Sequence, residues 1–180
     1  MAQFRAFAQG VEVNGETVLA IVDGMGYFKK RAHEILATNG IADPRPGQWY
    51  SQQSWLISFR RISDEIGART LNNIGMKIPE NANFPPDIQT IEQALESIDV
   101  AYHMNHRKGE IGRYGYRKTG PRSATMVCEN PYPCDFDRGI IEAMAYRFKP
   151  AGSMRVTVEH DDTCPCRKLG ADSCTYHVKW

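Results

Sequence analysis

"HDDTCPCRKLGADSCTYHVKW", residues 160–180, carries three of the chain's five cysteines and two of its histidines. Its last part, "SCTYHVKW" (173–180), alternates, with Cys174, Tyr176, Val178 and Trp180 on one face. The segment just before it, "SMRVTVEH" (153–160), alternates too, with Met154, Val156 and Val158 facing one way. Together they read as a β-hairpin whose connection holds Cys164 and Cys166. Upstream, "DFDRGIIEAMAYRF" (135–148) reads as a helix capped by Asp135, with Ile140, Ile141, Met144, Ala145 and Phe148 on its core side. Pro150 stops it.

Working outward, "IGRYGYRKTGPRSATMVCEN" (111–130) suggests two strands joined at "TGPR". Residues 88–107 predict a helix with Ile91, Leu95, Ile98 and Tyr102 as its stripe. "KIPENANFPPD" (77–87) reads as a long loop or flap. A helix over 50–74 follows from Trp55, Phe59, Ile62 and Ile66, with Gly67 and Gly75 as breaks. "DGMGYFKKRAHEILATNG" (23–40) predicts another, with Tyr27 and Phe28 on its apolar side. "VEVNGETVLAIV" (11–22) reads as a hairpin turning at Asn14-Gly15. The sum is an α+β domain: a helical layer packed on a twisted antiparallel sheet, with a C-terminal helix and β-hairpin.

The chain has 180 residues and a formal net charge of +1, so one domain over 1–180 is expected, without bulk attraction to nucleic acid or anionic membrane. Its apolar runs are too short to span a bilayer, and "MAQFRAFAQG" lacks a signal-peptide layout. A cytoplasmic setting follows, where thiols stay reduced; the odd cysteine count also argues against a complete disulfide framework.

The crowded thiols are open to three readings: a metal site, inert half-buried cysteines, or a redox or catalytic thiol. The last lacks a clear base beyond His160. Cys134, at the start of the predicted 135–148 helix, sits where the helix dipole favours a thiolate.

Residues 135–180 resemble the 4-vinyl reductase domain family. Cys166, Gly170, Cys174, Tyr176 and Val178 match its hairpin pattern of Cys-x-x-x-Gly-x-x-x-Cys followed by alternating aromatic and aliphatic residues. The resemblance implies a ligand-binding sensor fold, often dimeric, with an apolar cavity, as in phenol- and xylene-responsive activators. It also implies zinc on the two hairpin cysteines, an upstream cysteine and a glutamate. The glutamate position is Thr163 here, which cannot ligate. The implied set is therefore Cys134, Cys164, Cys166 and Cys174, with His160 in reserve.

For the ligand, Trp55, Phe59, Tyr102, His103, His106 and Met144 are the candidate lining residues. His103 and His106 are three apart at a helix end, with His106 at the edge of the apolar stripe and His103 further out. The expected function is a zinc-containing sensor module, rather than an enzyme. It would bind a hydrophobic or tetrapyrrole-like molecule as a homodimer and signal through a separate output protein. The alternative is a haem or tetrapyrrole protein, or an enzyme of tetrapyrrole metabolism, using His103 or His106. No G-x-G-x-x-G nicotinamide fingerprint is present.

Overall fold

The computed structural model describes residues 3–180. Its elements run β1 (Glu12–Asn14), α1 (Gly15–Gly24), a 3-10 turn (Gly26–Phe28), α2 (Lys29–Thr38), β2 (Trp49–Ser51), α3 (Gln52–Glu65), α4 (Ala68–Met76), α5 (Ile78–Asn81) and α6 (Ile91–Met104). They continue with β3 (His106–Arg107), β4 (Arg113–Gly120), β5 (Ser123–Glu129), α7 (Cys134–Arg147), β6 (Thr157–His160), a 3-10 turn (Arg167–Leu169) and β7 (Cys174–Lys179). The fold is α+β, with two antiparallel sheets ordered β2-β1-β3 and β4-β5-β7-β6.

The C-terminal half follows the sequence pattern closely. Cys174, Tyr176, Val178 and Trp180 are buried, while the residues between them are exposed or half-buried. β6 and β7 pair from Thr157↔Lys179 to His160↔Tyr176. Val156 and Val158 are buried as the alternation implies, but Met154 precedes the strand and is exposed. The 88–107 helix is α6, Ile91–Met104, started by a reciprocal capping box between Thr90 and Gln93.

The N-terminal half departs from the pattern. Asn14-Gly15 is a helix start, not a hairpin turn: the Asn14 side chain accepts from the Thr17 N–H and launches α1. Asn is as good a cap as it is a turn residue, so the dipeptide alone does not decide. Tyr27 and Phe28 lie in an exposed 3-10 turn, not on a core face. The 50–74 segment is split into α3 and α4 at Gly67, whose φ of 110° side chains rarely adopt. Gly75 does not break α4: a Cβ there would lie 2.1 Å from the Phe136 carbonyl oxygen, so it marks close contact with α7. Pro133, not Asp135, occupies the α7 cap position, and Asp135 instead pairs with Lys168.

One apolar cluster runs through both halves. Trp55, Phe59, Tyr132 and Phe136 meet there with ring centroids 4.7–5.9 Å apart.

Candidate functional site

His106 stands at the first residue of β3, just past α6, and is buried. Its Nδ1 lies 2.8 Å from the Tyr102 carbonyl oxygen and its Nε2 lies 2.6 Å from the Tyr132 hydroxyl. A carbonyl only accepts, so Nδ1 carries the proton and Nε2 presents a lone pair to Tyr132. Burial pushes the imidazole down to about 4, and the neutral form results. Tyr132 is itself held protonated by burial, and its oxygen also accepts from Gln52 Nε2 at 3.0 Å.

These groups border an apolar cavity of about 30 Å³, lined by Trp55, Ile98, Tyr102, Tyr114, Tyr132, Phe136 and their neighbours. Two residues of its wall, Thr17 and Trp55, carry buried polar atoms, Oγ1 and Nε1, that have no hydrogen-bond partner. The flap forms one side through Ala82 and Phe84. Phe84 also lines a surface groove of about 350 Å³ between the flap and Met144, Arg147 and Phe148 of the α7 end. Asn105 pins this flap: its amide donates to the Asn83 carbonyl at 2.7 Å and its oxygen accepts the Asn83 N–H at 2.9 Å.

Of the expected lining residues, Trp55, Tyr102 and His106 reach the cavity, and Phe59 packs behind Trp55. Met144 lines the groove rather than the cavity, and His103 faces outward beside Asp99. Sequence reasoning missed Tyr132, Asn105 and Phe136. "CENPYP" carried a signal, since the prolines on either side of Tyr132 restrict the backbone that presents it.

The cysteines form a second site on the α7 N-terminus and the hairpin. Cys134, His160, Cys166 and Cys174 bring one donor atom each within 4.8 Å of one another. The Cys134–Cys174, Cys134–Cys166 and Cys166–Cys174 sulfurs are 2.9, 3.6 and 3.7 Å apart. His160 Nδ1 bonds Asp162, and its buried Nε2 has no hydrogen-bond partner. Cys164 lies outside this set, with its sulfur 3.3 Å from an Asp161 oxygen. All five cysteines are free, and Cys128 is buried. The Cys174 thiol is drawn down to about 3 by the Cys134 thiol and the Arg167 guanidinium, while Cys134 moves the other way.

Arg167, adjacent to Cys166, is also buried. It donates to the Asp137 carboxylate and to both oxygens of Asn130, and its Nε lies 3.4 Å from the Cys174 sulfur. Asp137 accepts from the Tyr114 hydroxyl at 2.6 Å.

No protein-family model and no curated protein matches the sequence. Solved structures do. An H-NOX protein from S. oneidensis in an Fe(II) ligation state superposes with a TM-score of 0.69 at 12% identity, over 92% of this chain and 95% of that one. An H-NOX from T. tengcongensis matches with a TM-score of 0.63 at 14% identity, over 91% and 94%. An oxygen-binding H-NOX domain related to soluble guanylate cyclases matches with a TM-score of 0.60 at 16% identity, over 92% and 91%. The fold is that of the H-NOX domains.

That finding corrects the resemblance to the 4-vinyl reductase domain family. Cys-x-x-x-Gly-x-x-x-Cys is a local device: Gly170, at φ 89°, closes the 3-10 turn between the two cysteines. Such a device recurs without fixing what surrounds it. Zinc as the principal cofactor is corrected as well. The H-NOX structures include ones described by their iron ligation state and by haem distortion, and the thiol cluster here lies apart from the apolar cavity. Among the described residues, no helix is long and apolar enough to cross a membrane.

Proposed function

We propose that the chain is a haem-based sensor domain that reports a small ligand to a separate partner, and that His106 would hold the iron. The observation that carries this reading is the His106 tautomer. A neutral imidazole whose Nδ1–H is fixed on a backbone carbonyl, with Nε2 as a bare acceptor met by the Tyr132 hydroxyl at the wall of an apolar cavity, is the form that ligates a metal. The H-NOX fold around it, and the oxygen-binding relative in particular, support the same reading.

The donor chemistry fits haem. The cavity of about 30 Å³ is far below the roughly 300–1,000 Å³ of small-molecule sites, so a macrocycle would have to displace Tyr132 and the Phe84 side of the flap. When bound, a haem iron would supply a coordination position for a diatomic gas. The chain's own part is to hold Nε2 unprotonated, exclude water with Trp55, Phe136 and Ile140, and admit ligand past Phe84. Thr17 Oγ1 and Trp55 Nε1 are the unpaired polar atoms available to a guest.

Hemin titrated into the purified protein is expected to give a Soret band that His106→Ala loses and His103→Ala keeps. A wild-type protein that gives no Soret band overturns the reading.

The second site carries a separate role. Cys134, His160, Cys166 and Cys174 would hold a soft divalent metal that staples the hairpin to α7, since three sulfurs and an unpartnered imidazole nitrogen converge there. Cobalt(II) is the probe: thiolate charge-transfer absorption should appear in the wild type and in Cys164→Ser, and vanish in Cys174→Ser. Retention of the band in Cys174→Ser removes this ligand set.

A further inference from the structure

The hydroxyl of Tyr132 stands where any guest of His106 must bind, and the chain around it is clamped from an unexpected direction. The Tyr132 N–H donates to Asn130 Oδ1 at 2.9 Å. That same oxygen, and the Asn130 carbonyl, accept from the Arg167 guanidinium. Asn130 Nδ2 reaches back to both oxygens of Asp137, which also faces Arg167. Arg167 is anchored at its other end: its backbone N–H and its Nε each lie 3.4 Å from the Cys174 sulfur. A continuous set of buried contacts therefore joins the cysteine hairpin to the backbone of the residue that caps His106.

We infer that Tyr132 is a built-in competitor for His106 Nε2, and that Arg167 is the positioning residue through which the cysteine hairpin keeps it there. The inference rests on the reading of His106 as a donor, but its first test needs no haem. Removing the Tyr132 hydroxyl bares Nε2. Disordering the hairpin slackens Asn130 and lets the ring leave. The pocket is thus closed by default, and its opening is set by the cysteine hairpin, which contributes nothing to the cavity wall.

The test is a histidine-selective ¹⁵N spectrum of the full chain, with thermal unfolding to confirm the fold. In the wild type the His106 Nε2 resonance should show an acceptor hydrogen-bonded to a hydroxyl. Tyr132→Phe, which keeps the ring, should move it to the position of an unbonded nitrogen. Arg167→Lys should move it part of the way. Asn130→Ser, which withdraws the oxygen from the Tyr132 N–H, should do the same and decides the matter if Arg167→Lys does not fold. Hemin should bind Tyr132→Phe roughly threefold to tenfold more tightly than wild type, the value of one net hydrogen bond. An unmoved Nε2 signal in Tyr132→Phe overturns the competitor. A signal moved by Tyr132→Phe but by neither folded clamp variant overturns the role of Arg167. If all three move the signal and none binds hemin, the latch stands and the haem reading falls.

Discussion

His106 titrates far below its usual range because water is excluded from it, and this sets the sign of one pH effect. The unfolded chain takes up a proton near pH 6.5, whereas the folded chain resists until about pH 4. Between those values the unfolded state binds more protons, so stability falls as pH falls, by about 3 kcal/mol in all, and is fully present above pH 6.5. The titratable rings packed on it are Tyr102 and Tyr132, both held protonated, and the outward His103 acts on it only through its charge. Urea midpoints measured from pH 7.5 to 4 should show this loss in the wild type and a flatter profile in His106→Gln. Equal slopes would place the acid sensitivity elsewhere. The sequence separated His106 from His103 by helical phase alone, because the stripe of Ile91, Leu95, Ile98 and Tyr102 points the way. It could not show Tyr132 opposite, since that contact spans 26 residues and a change from helix to sheet.

At the scale of elements, the crossing of α4 and α7 rests on two glycines. A Cβ on Gly75 would meet the Phe136 carbonyl oxygen at 2.1 Å, and one on Gly139 would meet the Asn72 carbonyl oxygen at 2.2 Å. Both obstacles are backbone, which no rotamer relieves. Gly75→Ala and Gly139→Ala should each cost about 3 kcal/mol, the upper part of the overpacking range, read as a lowered denaturation midpoint. A loss under about 1 kcal/mol would mean that the helices slide apart freely. The consequence reaches the cavity, because Phe136 and Ile140 of α7 form part of its wall. These glycines also mark where the sequence pattern was least readable. Gly75 looks like a break when α4 is read alone, and becomes a contact only when α7 is laid across it. Strand β7 was legible because its alternation depends on one neighbouring layer. Asn14-Gly15 was not, because cap and turn share the same residues, and the reason for the glycine is distant in sequence: the Arg45 carbonyl oxygen would lie 1.8 Å from a Cβ on Gly15.

Across the whole molecule, the hairpin, α7 and the β4–β5 pair converge on the Arg167–Asp137 ion pair, in which both side chains are almost wholly out of water. Burial pushes the Asp137 carboxyl up, and Arg167 and the Tyr114 hydroxyl pull it back. A buried pair is weak evidence for net stability, yet removing one partner strands a charge and costs about 3–5 kcal/mol. Asp137→Asn should therefore destabilise strongly, leaving Arg167 with Asn130 and the Cys174 sulfur, without its buried carboxylate. The double variant Asp137→Asn with Arg167→Met should recover much of that loss, because the carboxylate and the guanidinium are then removed together and neither is left facing an uncharged partner. The two effects have different reach. If the pair serves only to stabilise, the recovered double variant should also recover the wild-type His106 Nε2 signal. If it aims Tyr132, the double variant should be stable and still show His106 released, since methionine cannot hold Asn130. Denaturation and the ¹⁵N spectrum measured on the same sample separate the two, and the second result would make the thiol hairpin and the histidine cavity parts of one device.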